Sequence, residues 1–448
     1  MTTASSVAGC GDPIQSWLAA CTHAADMQVS RIPLAAMAGW RIEGATGSIC
    51  HGSGAFFSVE GLAVETSFGP VRCWSQPIIN QPEVGVLGIL VRGVGEDPEM
   101  LLQAKIEPGN CNGAQLGPTV QATRSNQARI HNGAAVSYLE YFTPIPPAPV
   151  VDVLQSEQGS RFLRKLNRNI VVTVSEDVPV LSGHRWITTE QVSALLTEPD
   201  VVNMDTRTVL ATLLSARPDL RRPVPSGTEL TEAVDRASSM PCSSGALSWL
   251  TDRRRAHHLG VTTIPLAEMP GWERTEMAIR HRAGRHFSIV GVQVATIGRE
   301  VTSWCQPMVE SSAPGIAASI VRTDGGELLV LTQARVEAGN SMVAQAGPSV
   351  QGTGGTPTSA IGSVQAQLLD YLLDSRACTP VYDTVLSEEG GRFHRQRNRY
   401  LIAVAHSELP ELSEDYRWCT VGELRHLALR SHGLNVEART LLACLMSL

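Results

Sequence analysis

The chain has 448 residues, with 36 Lys plus Arg against 43 Asp plus Glu and a formal net charge of −7. That acidic balance argues against a general nucleic-acid binder, and 43% hydrophobic with 18% charged residues is a globular composition that excludes disorder, collagen and coiled coil. The first 30 residues hold no Lys or Arg, and no run approaches the roughly 18 apolar residues of a membrane helix, so a soluble, unexported, cytoplasmic protein is expected.

The predicted elements fall in two rounds, because the sequence repeats itself. Leu101 to Thr123 aligns without gaps on Leu331 to Thr353 with 13 identities in 23 positions, at an offset of 230. In chain order, Trp17-Leu18 returns as Trp249-Leu250, Gly39-Trp40 as Gly271-Trp272, Phe57-Ser58-Val59 as Phe287-Ser288-Ile289, and Trp74-Ser75-Gln76-Pro77 as Trp304-Cys305-Gln306-Pro307. Next comes a strand, turn and strand over 84–107, matched by 316–337, where Asp324-Gly325 between apolar runs is a hairpin signal. Ser156-Glu157, Gly159 and Arg161-Phe162 return as Ser387-Glu388, Gly390 and Arg392-Phe393, and a further strand follows each. Each copy closes with helices: Thr188 to Gln191 and Thr420 to Glu423 have the capping-box spacing, and 203–214 and 435–448 complete the pattern. The fold class is therefore α+β, with one copy over 1–215, a Pro-rich linker over 216–245 and the other copy over 246–448.

Ten cysteines without a Cys-x-x-Cys predict free thiols rather than a disulfide framework or a zinc site. A glycine-rich phosphate loop and a nucleophile elbow are both missing. Two constellations have the chemistry of a diphosphate site. The first is the basic segment after each Ser-Glu-x-Gly turn, with Arg161 in one copy and Gly390, Gly391, Arg392 and Phe393 in the other, where Arg supplies a fork of donors and glycine lets backbone amides approach. The second is the polar loop Gln121, Thr123, Arg124, Ser125, Asn126 and Gln127, with Gln351, Thr353, Gly354 and Gly355 as its counterpart. A solvated strand face and a plain turn are the competing readings. Trp40 and Trp272 are candidates to stack on a base, whereas Trp74 and Trp304, between hydrophobic runs, are expected in the cores. For acid-base work the carboxylates shared by the copies are Glu107 and Glu337, with Tyr138 and Tyr371 also paired. Glu337 repeats the carboxylate, which leaves open that both brace a Gly-Asn turn.

The motifs WSQPIINQPEVGVLGILVR, QAKIEPGNCNGAQLGPTVQATRSN, YLEYF and NMDTRTVL, with GREVTSWCQP, QARVEAGN, LSEEGGRF and NVEARTLLACL in the second copy, resemble the NDP-hexose 2,3-dehydratases over nearly the whole chain. The resemblance implies a tandem pair of Nudix-like domains, although neither copy has the Nudix hydrolase helix, so pyrophosphate hydrolysis does not follow. It also implies a substrate, dTDP-4-keto-6-deoxy-D-glucose, and a place in the biosynthesis of antibiotic 2,6-dideoxysugars. The further implications are a general base, for which Glu107 is chosen, with Tyr138 as acid or enolate donor, no cofactor, a homodimer, and an NADPH-dependent 3-ketoreductase to consume an unstable diketone. The chain departs from the family at Gln127, usually Tyr, and Arg161, usually Trp. These departures motivate an alternative, a nucleotide-sugar-binding protein without catalysis.

Overall fold

The computed structural model describes residues 13–448 except 94, 96, 124–134, 145, 147, 176, 223–228, 298–300 and 353–362. Its frame is a pair of seven-stranded mixed sheets, one from each copy. In the first the order is Val151–Ser156, Leu166–Thr173, Gly85–Arg92, Glu99–Lys105 and His184–Thr188, with Gln115–Gly117 and Val120–Ala122 alongside. Gly85–Arg92 runs parallel to Leu166–Thr173 and antiparallel to Glu99–Lys105. Its residues are buried from Gly85 through Val91, which is why this strand reads as a continuous apolar run rather than an alternation. The second copy repeats the arrangement, with Gly315–Asp324 between Arg397–Ala405 and Glu327–Val336. Its hairpin is tighter than the sequence suggested. Asp324 pairs with Glu327 across Gly325 and Gly326, whose φ angles of 58° and 85° suit glycine.

The closing helices form where the caps predicted. Asn203 caps Met204–Ala216 and Asn435 caps Val436–Ser447, each side chain accepting from the backbone N–H three residues on. Both capping boxes are complete, Thr188 with Gln191 and Thr420 with Glu423. The two capped-Asn helices pack on each other inside one apolar cluster shared by the copies. Arg207 and Arg439 are fully buried there. Each reaches into the other copy, Arg207 Nη2 donating to Ser387 O and Arg439 Nη2 to Ser156 O. A buried guanidinium is tolerable because its N–H groups find carbonyls.

The copies also exchange strands. Leu259–Ile264 of the second copy pairs with Ser58–Thr66 of the first, with Val261 opposite Val64. Gln28–Ile32 of the first pairs with Phe287–Ala295 of the second, with Val29 opposite Val294. The expected boundary thus divides the repeat in sequence but cuts two sheets. The stretch expected as a linker also carries structure: Glu229–Ser239 is a helix, and Ala233 and Val234 lie in the shared core. Leu230, Ala233, Val234 and Ala237 have helical spacing, a signal masked by the prolines on either side. Among the described residues no helix is long and apolar enough to cross a membrane. The described cysteines are all free.

Candidate active site

A cavity of about 660 Å³ lies where the copies interlock, inside the ~300–1,000 Å³ typical of small-molecule sites. The first copy contributes Lys105, Glu107, Gln121 and Asp205; the second contributes Glu389, Gly391, Arg392 and the Trp304 to Gln306 strand. Backbone bonds join the two sides: Gly109 N–H donates to Gly390 O at 2.7 Å and Arg395 N–H to Gly109 O at 2.9 Å. A Cβ on Gly109 would sit 1.7 Å from the Phe393 backbone O, so this approach requires glycine. The mirror contacts, Gly339 to Gly159 and Arg164 to Gly339, close a second junction.

Glu107 follows the strand Glu99–Lys105, and its carboxylate does not brace its own turn. Asn110 does that, its Nδ2 donating to Gly113 O at 2.7 Å and to Lys105 O at 3.2 Å. Glu107 Oε1 instead accepts from Gln121 Nε2 at 3.1 Å, and Gln121 Oε1 accepts from Asn203 Nδ2 at 3.1 Å. A helix cap is thereby tied through one amide to the carboxylate. The second copy repeats the chain, with Asn435 donating to Gln351 at 2.7 Å and Gln351 to Glu337 at 3.1 Å.

Three more carboxyl groups, Glu157, Asp205 and Glu389, border the same cavity. Burial, then the charge of Glu107, pushes Glu389 up to about 8. Asp205 is held well above the ordinary carboxyl range by burial and then by Glu157, Glu389 and Glu107. Burial also raises Glu157. One oxygen of each (Glu157 Oε2, Asp205 Oδ1 and Glu389 Oε2) is buried without a hydrogen-bond partner. Cations face these acids. Arg392 lies 4.2 Å over the Phe57 ring, donates Nη1 to Gly391 O at 2.9 Å and leaves Nε unpartnered. Lys165 Nζ donates to Glu83 O, and burial lowers its pKa. His184 contacts Thr119 O at 3.2 Å through Nε2, and burial lowers its pKa as well.

The corresponding cavity of the other half, about 1350 Å³, is bordered by Trp272, Glu337, Gln351 and, from the first copy, Arg161. Arg161 is 5% exposed, lies 3.9 Å over Phe287 and is pushed down by burial to about 10. The two cavities differ chemically, at the following places among others. Arg335 stands where the first copy has Lys105 and forms a 3.2 Å ion pair with Glu337. Gln158 stands where the second copy has Glu389, and it donates to Glu388 at 2.6 Å. Asp205 borders the first cavity, whereas its counterpart Glu437 is not among the residues bordering the second.

The expected site residues are thus redistributed. Glu107, Gln121, Thr123, Trp40, Gly391 and Arg392 meet at the first cavity, while Trp272, Gln351 and Arg161 meet at the other. The expectation that Arg392 and the Gln351 loop grip one diphosphate is corrected, because each basic segment crosses into the opposite copy. Tyr138 is corrected as a proton donor. It is 3% exposed, its hydroxyl donates to Pro179 O at 2.7 Å and accepts from Leu181 N at 2.7 Å, and the ring sits in an apolar cluster. Phe393 is a core residue packed 6.0 Å from Phe162. Gly390 serves the junction. Trp40 and Trp272 border cavities but spend their indole N–H groups on Cys305 O and Ser75 O, across the copies. Trp74 and Trp304, expected in cores, pack half-buried against apolar clusters and also border the second and first cavities. Arg124, Ser125, Asn126, Gln127, Thr353, Gly354 and Gly355 lie outside the described residues. Glu389 carries no repeat signal because its counterpart is Gln158, and Asp205, matched by Glu437, sits in the first turn of a helix, where an acidic residue is ordinary.

Comparison with known proteins agrees with the repeat. The family model described as NDP-hexose 2,3-dehydratase matches residues 12–213 and again 243–445. A Saccharopolyspora spinosa protein named dTDP-4-dehydro-6-deoxy-alpha-D-glucopyranose 2,3-dehydratase is 42% identical over 442 residues, covering 96% of this chain and 90% of its own. Proteins of the same name from Streptomyces violaceoruber and Amycolatopsis orientalis are 41% and 40% identical, each across 97% of this chain and across 96% and 90% of their own. A solved Nudix hydrolase from M. Smegmatis overlaps 24% of this chain and 70% of its own at 20% identity and a TM-score of 0.17, too slight an overlap to assign a fold. With two family-length matches spanning both halves and relatives above 40% identity over almost its full length, the chain belongs to the NDP-hexose 2,3-dehydratase family.

Proposed function

We propose that the chain eliminates the 2-hydroxyl of dTDP-4-keto-6-deoxy-D-glucose and that the chemistry occurs in the first cavity. The observation that carries this reading is Glu107, a carboxylate bordering the cavity and aimed by Gln121 rather than consumed by its turn. A ketone at carbon 4 acidifies the hydrogen at carbon 3. Glu107 removes that proton, the enolate expels the oxygen at carbon 2, and tautomerisation gives the dTDP-3,4-diketo-2,6-dideoxy sugar. Arg392 and Lys165 supply positive charge for the diphosphate or the enolate. Glu337, the counterpart of Glu107, is held in a 3.2 Å ion pair with Arg335.

The finer readings rest on the family resemblance. Each half is Nudix-like, the chain pairs as a homodimer in the cytoplasm, and a downstream NADPH-dependent 3-ketoreductase consumes the labile diketone for an antibiotic deoxysugar. The test is incubation with dTDP-4-keto-6-deoxyglucose, such a reductase and NADPH, followed by mass. Loss of water and gain of two hydrogens supports the dehydratase, unchanged substrate supports a binding protein without catalysis, and dTMP supports a hydrolase.

A further inference from the structure

Breaking the bond between carbon 2 and oxygen needs a proton for the departing hydroxide, and the Tyr138 hydroxyl is committed to the backbone. We infer that Asp205 is the catalytic acid of the elimination, delivering a proton from the cavity wall to the leaving oxygen. The assignment rests on the dehydration reading above and deepens it.

Asp205 lies in the first turn of Met204–Ala216, is 3% exposed, borders the cavity and has a buried Oδ1 without a partner. A helix N-terminus ordinarily favours a carboxylate anion. Here burial is the largest contribution, the neighbouring carboxyls Glu157, Glu389 and Glu107 add to it, and the cations Lys105 and Arg439 act against them. A neutral carboxyl is the form that can donate. Its position relative to the base is fixed, because Asn203, which caps the same helix, holds Gln121, and Gln121 holds Glu107. A carboxylate base and a carboxylic acid are thereby fastened to one framework, the pairing that elimination requires.

The protons balance. Glu107 takes the carbon 3 hydrogen, whose electron pair forms the enolate. That enolate collapses to the double bond between carbons 2 and 3 as the carbon 2 to oxygen bond breaks, and the Asp205 proton completes a molecule of water. Tautomerisation of the enol then moves its hydroxyl proton to the Asp205 carboxylate while carbon 2 takes the proton held by Glu107. Both groups are restored without a co-reactant.

The experiment uses the full chain carrying Asp205→Asn, with substrate in deuterium oxide and with the 2-deoxy-2-fluoro analogue, whose fluoride leaves without a proton. Loss of water is expected to fall about 100-fold or more, the scale of general acid catalysis. Deuterium should still enter carbon 3 of recovered substrate, and fluoride release should stay within a few-fold of wild type. Asp205→Glu, the residue type at the corresponding position 437, should restore part of the water loss and serves if the Asn variant does not fold. If exchange and fluoride release fall together with water loss, Asp205 positions the base and the inference is overturned. Undiminished water loss in Asp205→Asn, or none restored by Asp205→Glu, overturns it too. Wild-type protein that neither exchanges deuterium nor loses water would instead sink the dehydration reading itself.

Discussion

At the scale of single residues, the function turns on what each charged side chain is already doing. Glu107 was open to two readings, base or turn brace, and the bond from Gln121 with the separate bracing by Asn110 favours the first. Glu107→Gln is therefore expected to keep dTDP affinity and melting temperature near wild type while turnover and carbon 3 exchange fall by about 100-fold or more, the range of a lost general base. Calorimetry, melting and isotope exchange on one preparation check all three, and a lowered melting temperature with exchange retained returns Glu107 to a structural role. Arg392 and Arg161 are sequence counterparts but serve opposite cavities. Arg392→Ala should weaken productive substrate binding by roughly 1.5–3 kcal/mol, the worth of a charge-assisted hydrogen bond. Arg161→Ala should leave KM at the first cavity unchanged, and equal effects of the two in steady-state kinetics would contradict the crossing.

At the scale of elements, the crossing has a mechanical cause. Ser58–Thr66 takes Leu259–Ile264 as its edge neighbour, Phe287–Ala295 takes Gln28–Ile32, and the helices Met204–Ala216 and Val436–Ser447 bury each other. Residues 1–215 expressed alone would leave an unpaired sheet edge and an uncovered apolar helix face. This fragment is expected to melt without cooperativity and to regain a sharp transition when co-expressed with residues 216–448. A sharp melt of the isolated fragment would show that the halves are independent. The caps contribute locally: Thr420→Ala removes the acceptor for Glu423 N–H at 3.1 Å and should cost about 1 kcal/mol in denaturant unfolding.

For the whole molecule, the acids gathered at the centre set its response to pH. Glu389 and Glu437 are each pushed by burial to about 8, against 4.5 for an unperturbed glutamate. Between those values the folded chain holds protons on these two groups that the unfolded chain releases, so their contribution to stability falls as pH rises from about 5 to about 8, against the opposite slope of histidines whose pKa burial lowers. The depressed carboxyls, Glu310 and Asp219, lose their contribution only at lower pH and do not reverse that slope. Each pKa unit corresponds to about 1.4 kcal/mol. Combined Glu389→Gln and Glu437→Gln should raise the melting temperature by several degrees at pH 8 and leave it nearly unchanged at pH 5. An equal change at both pH values would mean that the two carboxyls are ionised throughout.

The sequence by itself determined the duplication, the strand and hairpin pattern, the helix caps and the family, because each is written in local spacing or in a long run of matched residues. Asn203 and Asn435 were legible as caps from their own neighbours. Which copy supplies which wall of a site was not, since pairing between strands as far apart in sequence as Thr66 and Leu259, or Gln28 and Ala295, is settled by burial and hydrogen-bond closure rather than by nearby sequence. Tertiary structure alone moved Arg392 to Glu107 and Arg161 to Glu337, turned the Tyr138 hydroxyl to the backbone, and drew Glu157, Asp205 and Glu389 to one cavity. Their raised pKa values follow from that convergence, for desolvation and like-charge repulsion act through space and leave no mark on the order of residues.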